Sequence, residues 1–138
     1  YTFNVRQALR GARPGETVVL RSLGGSVGGL GMRVSGSPSF TVGEEALLFV
    51  DQRGGHRWVV GMEQGAFRLT KDRSGRKLVQ RRLDGLSLAE AQGAGGLKLG
   101  GPPSAAALLP RTLDETLRLV DQTIRQCAAT PAVCQVRR

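Results

Sequence analysis

The side chains that could do acid–base or nucleophilic chemistry are few and scattered. His56 is the only histidine of the chain and stands beside Gly54-Gly55 in a predicted hairpin loop. Ser–His–acid and Cys–His mechanisms need a nucleophile and a base within hydrogen-bond reach, and no nucleophile elbow or metalloprotease helix surrounds this histidine. Glu44-Glu45 precede a strand and Asp51 ends it, a spacing that selects no carboxylate pair. The sequence therefore predicts no catalytic, cofactor-binding or metal site, and a small hydrolase that uses His56 or an acid is a minor alternative.

The glycine-rich run 24–31 (GGSVGGLG) has the composition of a phosphate-binding loop. Such a loop needs a strand before it, a helix N-terminus after it and, for nucleoside triphosphates, a Lys-Ser or Lys-Thr pair. Met32-Arg33-Val34 follow instead and have the pattern of a strand, so the run predicts no nucleotide site. We expect it to form a bulged or irregular connection between two strands.

Two cysteines, Cys127 and Cys134, stand seven residues apart around Thr130 and Pro131. A helix end followed by a proline turn can bring two cysteines into disulfide geometry, so we favour a bridge formed in an oxidising compartment. Two unpaired thiols are the alternative. A metal site is disfavoured because two sulfurs without a nearby histidine supply only half of a tetrahedral shell.

The chain of 138 residues carries a surplus of positive charge, +9 from 20 basic and 11 acidic residues. Such a surplus favours acidic partners, namely nucleic acid, anionic glycans, phospholipid head groups or an acidic protein. The densest basic cluster lies in 68–82 beside the single acid Asp72 and comprises Arg68, Lys71, Arg73, Arg76, Lys77, Arg81 and Arg82. A solvated hairpin explains this cluster most simply. Nucleic-acid binding is the alternative, although single-strand binders add stacking aromatics and this chain has few.

Short apolar runs between glycines determine the predicted fold class. Strand patterns are expected at 1–6, 16–23, 32–34, 46–50, 57–62, 66–71 and 77–83. The run 46–50 (ALLFV) is the most continuously apolar and predicts a central strand covered on both faces. Asp72-Arg73-Ser74-Gly75 predicts a tight turn, and 51–55 a hairpin loop. Such strands, about ten residues apart, indicate a mainly β fold, for which a small antiparallel barrel is preferred and a sandwich is the alternative.

A C-terminal amphipathic helix is expected to begin at Thr112 and pack on the barrel. Thr112 and Glu115 match a capping box. The apolar stripe is Leu113, Leu117, Val120 and Ile124, and the predicted ion pairs are Asp114–Arg118 and Asp121–Arg125. A partner-binding helix has the same pattern, but cores contain such stripes more often.

One domain accounts for the whole chain, because its length suits a single hydrophobic core. Its predicted parts are a β-barrel at 1–92, a Gly/Ala/Pro linker or covering loop at 93–110, and a helix with a Cys-containing tail at 111–138. One or two helical turns are expected within 87–92. No apolar stretch approaches the roughly 20 residues that span a bilayer.

Four segments carry a resemblance to known proteins. They are 3–11 (FNVRQALRG), 24–31, 36–50 (GSPSFTVGEEALLFV) and 58–67 (WVVGMEQGAF). In this order they resemble a family of uncharacterised secreted bacterial proteins, common in myxobacteria and their relatives. The resemblance covers about residues 1–85 and implies a small β-barrel and an extracellular, cell-surface or periplasmic location, but no activity.

The same order of elements is distantly similar to the netrin-like barrels of tissue inhibitors of metalloproteinases, and this resemblance implies a barrel of the oligonucleotide/oligosaccharide-binding (OB) type. In those proteins an N-terminal cysteine coordinates the zinc of the target. Tyr1 stands first here and no cysteine precedes Cys127, so that mechanism is not open to this chain, and protease inhibition is a minor alternative.

Together these features predict an exported, non-enzymatic module that binds a protein partner or assembles with itself in the cell envelope. The chain begins at Tyr1 directly in a strand pattern, from which we expect that a signal peptide has been removed. A subunit of an extracellular assembly is one form of this hypothesis, because a chain that opens with an unpaired strand can complete the sheet of a neighbour.

Overall fold

The computed structural model describes residues 1–82, 89–92, 96–100 and 110–129. Within them the chain is mainly β, with one C-terminal helix, as predicted. The strands are β1 (Thr2–Asn4), β2 (Thr17–Arg21), β3 (Gly25–Val27), β4 (Leu30–Met32), β5 (Ala46–Leu48), β6 (Val50–Arg53), β7 (His56–Val59), β8 (Ala66–Lys71), β9 (Lys77–Arg81), β10 (Ala89–Gln92), β11 (Gly96–Leu99) and β12 (Arg111–Thr112). A short 3-10 helix spans Met62–Gly65, and helix α1 spans Leu113–Ala129.

Two four-stranded sheets contain most of the strands. The first has the order β1-β2-β7-β6 and the second the order β12-β9-β8-β5, while β3–β4 and β10–β11 each form a two-stranded hairpin. All neighbours run antiparallel except β2 and β7, which are parallel.

One long bent hairpin joins the two sheets. Its outgoing strand is β5–β6 and its return strand is β7–β8, with a tight turn at Gly54-Gly55, where both glycines have positive φ. The return strand is five residues longer, because Val50 pairs with Val59 whereas Leu48 pairs with Ala66. Between these pairs, the Phe49 N–H donates to the Gly65 carbonyl (2.9 Å) and the Phe49 carbonyl accepts from the Val60 N–H (2.8 Å).

The extra residues include the 3-10 helix, and glycine is required at position 65, where the chain leaves this helix and enters β8. A Cβ atom on Gly65 would lie 2.1 Å from the Val60 carbonyl oxygen, far inside any permitted contact. Met62 is the non-glycine residue of the described segments with positive φ (58°), a conformation that L-residues rarely adopt.

The hydrophobic core is small and lies between the first sheet and the start of β8. Its buried members are Val18, Leu20, Val59 and Ala66, and Phe3, Val5, Phe40 and Leu48 pack against them. Val79 is also buried and lies outside this cluster. It belongs to β9, the strand against which α1 packs together with β12.

Helix α1 begins as predicted. Thr112 Oγ1 lies 2.7 Å from Glu115 Oε2, and the Glu115 N–H donates to Thr112 Oγ1 (3.3 Å), which confirms the capping box. The predicted Asp121–Arg125 ion pair forms at 2.9 Å. The predicted Asp114–Arg118 pair is wrong, because Arg118 Nε donates instead to the Asp114 backbone carbonyl (3.3 Å). No helix among the described residues is long and apolar enough to cross a bilayer.

Three sequence predictions of secondary structure are corrected. The run 24–31 belongs to hairpin β3–β4, so Met32 ends a strand and Arg33-Val34 lie outside it. The expected helical turn in 87–92 is wrong for Ala89–Gln92, which form β10. The expected loop 93–110 contains β11, while 93–95 and 101–109 lie outside the described residues.

The prediction of a central strand at 46–50 is also wrong. Both β5 and β6 lie at an edge of their sheet, and the strand bends at Phe49. Phe49 and Val50 are 38% and 41% exposed. The run is wholly apolar although it lies at a sheet edge: Leu48 packs on the core, and Leu47 and Phe49 lie on the opposite face, near Phe67.

Candidate functional site

The first residue of the predicted basic cluster, Arg68, is buried in an ion-pair network instead of facing solvent. Its Nε lies 2.6 Å from Glu44 Oε1, and its Nη2 donates to Glu63 Oε1 (3.0 Å) and to the Ser39 carbonyl (2.7 Å). The guanidinium also stacks over the Phe40 ring, with Cζ 4.4 Å from the centroid. Nη1 has no hydrogen-bond partner among the described residues, and the Nε contact with Glu44 lacks hydrogen-bond geometry.

Glu63 is the second buried charge of this network, and its position follows from the bent hairpin. The 3-10 helix holds it beside Arg68, and its backbone N–H donates to the Gly36 carbonyl (2.8 Å). Burial raises the pKa of the Glu63 carboxyl, and the nearby Glu44 adds to the rise, whereas Arg68 and Arg82 oppose it. The network therefore ties the segment 36–44 to the hairpin.

Two further cations of the cluster form ion pairs with carboxylates. Lys77 Nζ lies 2.6 Å from Glu45 Oε2, and Arg76 Nε lies 2.8 Å from Asp72 Oδ2. Hydrogen bonds from Ser74 and Arg76 hold the pKa of Asp72 far below its usual range, so the predicted turn is organised by its acid.

The other four cations, Lys71, Arg73, Arg81 and Arg82, form no ion pair within the described segments. Arg81 lies over the Phe67 ring, with Cζ 4.7 Å from its centroid. Four cations with one stacking ring make a weaker phosphate-binding surface than the seven expected from the sequence.

His56 is half-buried at the start of β7, opposite Arg53. No hydrogen bond joins it to an acid or a hydroxyl within the residues that the structure describes. Those residues also contain no cluster of three His, Cys, Asp or Glu side chains that could hold a metal ion.

Cys127 is half-buried in α1, but Cys134 lies outside the described residues, so the predicted bridge stays a prediction.

The outer edge of β5–β6 presents a row of backbone groups to which no described strand pairs. Because Phe49 exchanges hydrogen bonds with the return strand, alternation directs the backbone N–H and C=O groups of Ala46, Leu48 and Val50 outward. The Gln52 N–H is bonded to Asp51 Oδ1 (2.7 Å). Segment 44–53 carries Glu44, Glu45, Asp51 and Arg53, a net charge of −2 in a chain of +9.

Hairpin β3–β4 is a second exposed feature. Its residues Val27, Leu30 and Met32 are 85%, 82% and 64% exposed. The base of the hairpin is held to the neighbouring loop by Ser37, whose Oγ donates to the Leu23 carbonyl (2.8 Å) and lies 2.7 Å from Ser22 Oγ. A shallow, open cleft of about 670 Å³ lies between the hairpin and residues 33–39.

The sequence alone predicts neither the open edge of β5–β6 nor hairpin β3–β4, although it contains a turn signal for the hairpin. In 25–32, Gly28-Gly29 stands midway between two short segments, and both glycines adopt the positive φ of a tight hairpin turn.

Comparison with protein-family models, curated proteins and solved structures finds no match to this chain.

We expect replacement of Arg68 by Met to destabilise the fold, because the buried Glu63 would lose its hydrogen-bonded counter-ion while Glu44 stays nearby. The loss at pH 7 should be about 3 kcal/mol in the free energy of unfolding. Burial already raises the pKa of Glu63, and removal of Arg68 removes an opposing charge, so the loss should shrink as the pH falls towards about 4 and Glu63 takes up a proton.

Urea unfolding of Arg68→Met at both pH values measures this effect, with Arg76→Met as the matched control. Arg76 is 70% exposed, so its removal should have little effect. Equal stabilities of the two variants at pH 7 would show that the buried network does not support the fold.

Proposed function

We propose that the chain is an exported, non-enzymatic module of the bacterial cell envelope or surface that works by assembling with protein chains. The partner it is best suited to is a second copy, added strand to strand along the edge β5–β6. The barrel type, OB- or netrin-like, is part of the same proposal and is supported by the bent hairpin that runs through both sheets.

The open edge of β5–β6 is the observation that carries this proposal. Unpaired backbone donors and acceptors on an edge strand are a template for another strand. Natural proteins commonly protect such edges with lysine, proline or a bulge pointing outward. Here Phe49 and Val50 are exposed beside those backbone groups, and the stretch Ala46–Val50 contains no charged residue.

The edge is also complementary to itself. If two copies pair antiparallel about Phe49, Leu48 lies opposite the partner's Val50 and Glu45 lies opposite the partner's Arg53. The backbone pairs that face outward are then Ala46 with the partner's Gln52 and Leu48 with the partner's Val50. This register adds one contact between unlike charges, in which Glu45 is also paired with Lys77 and Arg53 is also paired with Asp51.

Export is supported by the cysteine pair predicted near the C-terminus. If the protein matures in an oxidising compartment, Cys127 and Cys134 should be bridged. Thiol titration of the unfolded, unreduced protein should then detect no thiol, with the reduced protein as the positive control. Two titratable thiols in protein from its native host would contradict export.

Replacement of Val50 by Lys should weaken self-association at least about tenfold, because a desolvated ammonium would stand opposite the partner's Leu48. Sedimentation velocity over a range of protein concentrations measures this. The matched control is Val19→Lys, since Val19 is 61% exposed on β2, which has β1 on one side and β7 on the other.

Both variants should keep the circular dichroism spectrum of the unmodified chain. A chain that stays monomeric at every concentration would contradict the proposal. Equal weakening by the two lysines would also contradict it, because the effect would then be one of net charge rather than of the edge.

A further inference from the structure

Hairpin β3–β4 has one apolar face and one polar face. Its register pairs Val27 with Leu30, Ser26 with Gly31 and Gly25 with Met32. Because side chains alternate along a strand, Val27, Leu30 and Met32 share one face, and Ser26 lies on the other. A Cβ atom on Gly31 would contact Ser26 Oγ at 3.4 Å, in agreement with this arrangement.

The apolar face is bare over the whole hairpin. Val27 and Leu30 are more than four-fifths exposed, and Leu23, at the base of the hairpin, is 51% exposed. The two strands pair only with each other among the described residues. Their mutual hydrogen bonds satisfy the inward-facing backbone groups, whereas the outward-facing groups need water or head groups, which the interfacial region of a bilayer supplies.

The charged residues next to the hairpin in the sequence are of one sign. From residue 17 to residue 43 the chain contains no Asp or Glu, and its two charged residues there are Arg21 and Arg33. Both arginines are exposed, and each lies just beyond the apolar residues in the sequence. A second copy docked on this face would bring the arginines of the two copies close together, which disfavours self-association through the hairpin.

We propose that the apolar face of hairpin β3–β4 inserts into the interface of an anionic phospholipid surface. Val27, Leu30 and Met32 would enter the boundary between head groups and acyl chains, while Arg21 and Arg33 contact the lipid phosphates. This surface is separate from the edge β5–β6, so the inference does not depend on strand addition.

Vesicle co-sedimentation with the complete chain tests this proposal. One set of vesicles is phosphatidylcholine alone, and the other contains about 30 mol % phosphatidylglycerol, each at about 0.1 M and about 0.5 M salt. We expect binding to the anionic vesicles that is weakened by salt, and little binding to the neutral ones.

Paired variants separate insertion from simple attraction of a basic protein. Val27→Ser combined with Leu30→Ser should lower the partition coefficient at least about tenfold. Val42→Ser, at a fully exposed valine in a loop, should leave it unchanged. Arg33→Gln should lower it about fivefold, and Arg73→Gln, which removes the same charge elsewhere, less than about twofold.

Three results would overturn the proposal. The first is no binding to anionic vesicles. The second is binding that the hairpin double variant leaves intact, which would mean electrostatic adsorption alone. The third is self-association in the absence of lipid that the same double variant abolishes, which would show that another copy covers the hairpin. Because Val27 and Leu30 are so exposed, the double variant should fold, and its circular dichroism spectrum checks this.

Discussion

The two backbone hydrogen bonds of Phe49 determine most of this fold. Its N–H bonds to Gly65 and its carbonyl to Val60, so the return strand must loop out between them and one hairpin becomes two sheets. Only glycine fits at 65, because any side chain there would collide with the Val60 carbonyl. The looped-out residues are the ones that carry Glu63 into the interior. The bend therefore links the sheet geometry to the buried charges.

Those buried charges lie beside a small apolar core. The core cluster has four buried members, and Arg68 lies on the same face of β8 as Ala66. Glu44 and Glu63 balance the guanidinium, and the Ser39 carbonyl accepts one of its hydrogen bonds. A buried charge is costly without such partners, so the network specifies how the segment 36–44 must lie against the hairpin. It also removes Arg68 from the surface on which a polyanion could bind.

Local chemistry could be predicted from the sequence, and long-range pairing could not. The capping box of Thr112 with Glu115 and the turn of Asp72 to Gly75 depend on residues close in the chain, and both form as predicted. The run 46–50 predicted a central strand because an apolar run has the same appearance in the middle of a sheet and at a bent edge whose two faces both pack. Arg68 appeared to be one of seven surface cations because its acids are 24 and 5 residues away, at Glu44 and Glu63. Of the candidate site, the sequence indicated the basic cluster but neither the open edge nor the apolar hairpin face.

The proposed modes of action use two different surfaces of one scaffold. The edge β5–β6 offers backbone groups to another strand, and hairpin β3–β4 offers apolar side chains to a lipid interface. The edge depends on the hydrogen bonds of Phe49, which bond one side of β5–β6 to the return strand and leave the other side without a partner strand among the described residues. Amide hydrogen exchange in dilute, monomeric protein tests this arrangement most directly. The account predicts slow exchange at Phe49, whose N–H is bonded to Gly65, and fast exchange at Leu48 and Val50, whose N–H groups point outward. Protection of Leu48 and Val50 equal to that of Phe49 would contradict it, because a further strand would then cover the edge.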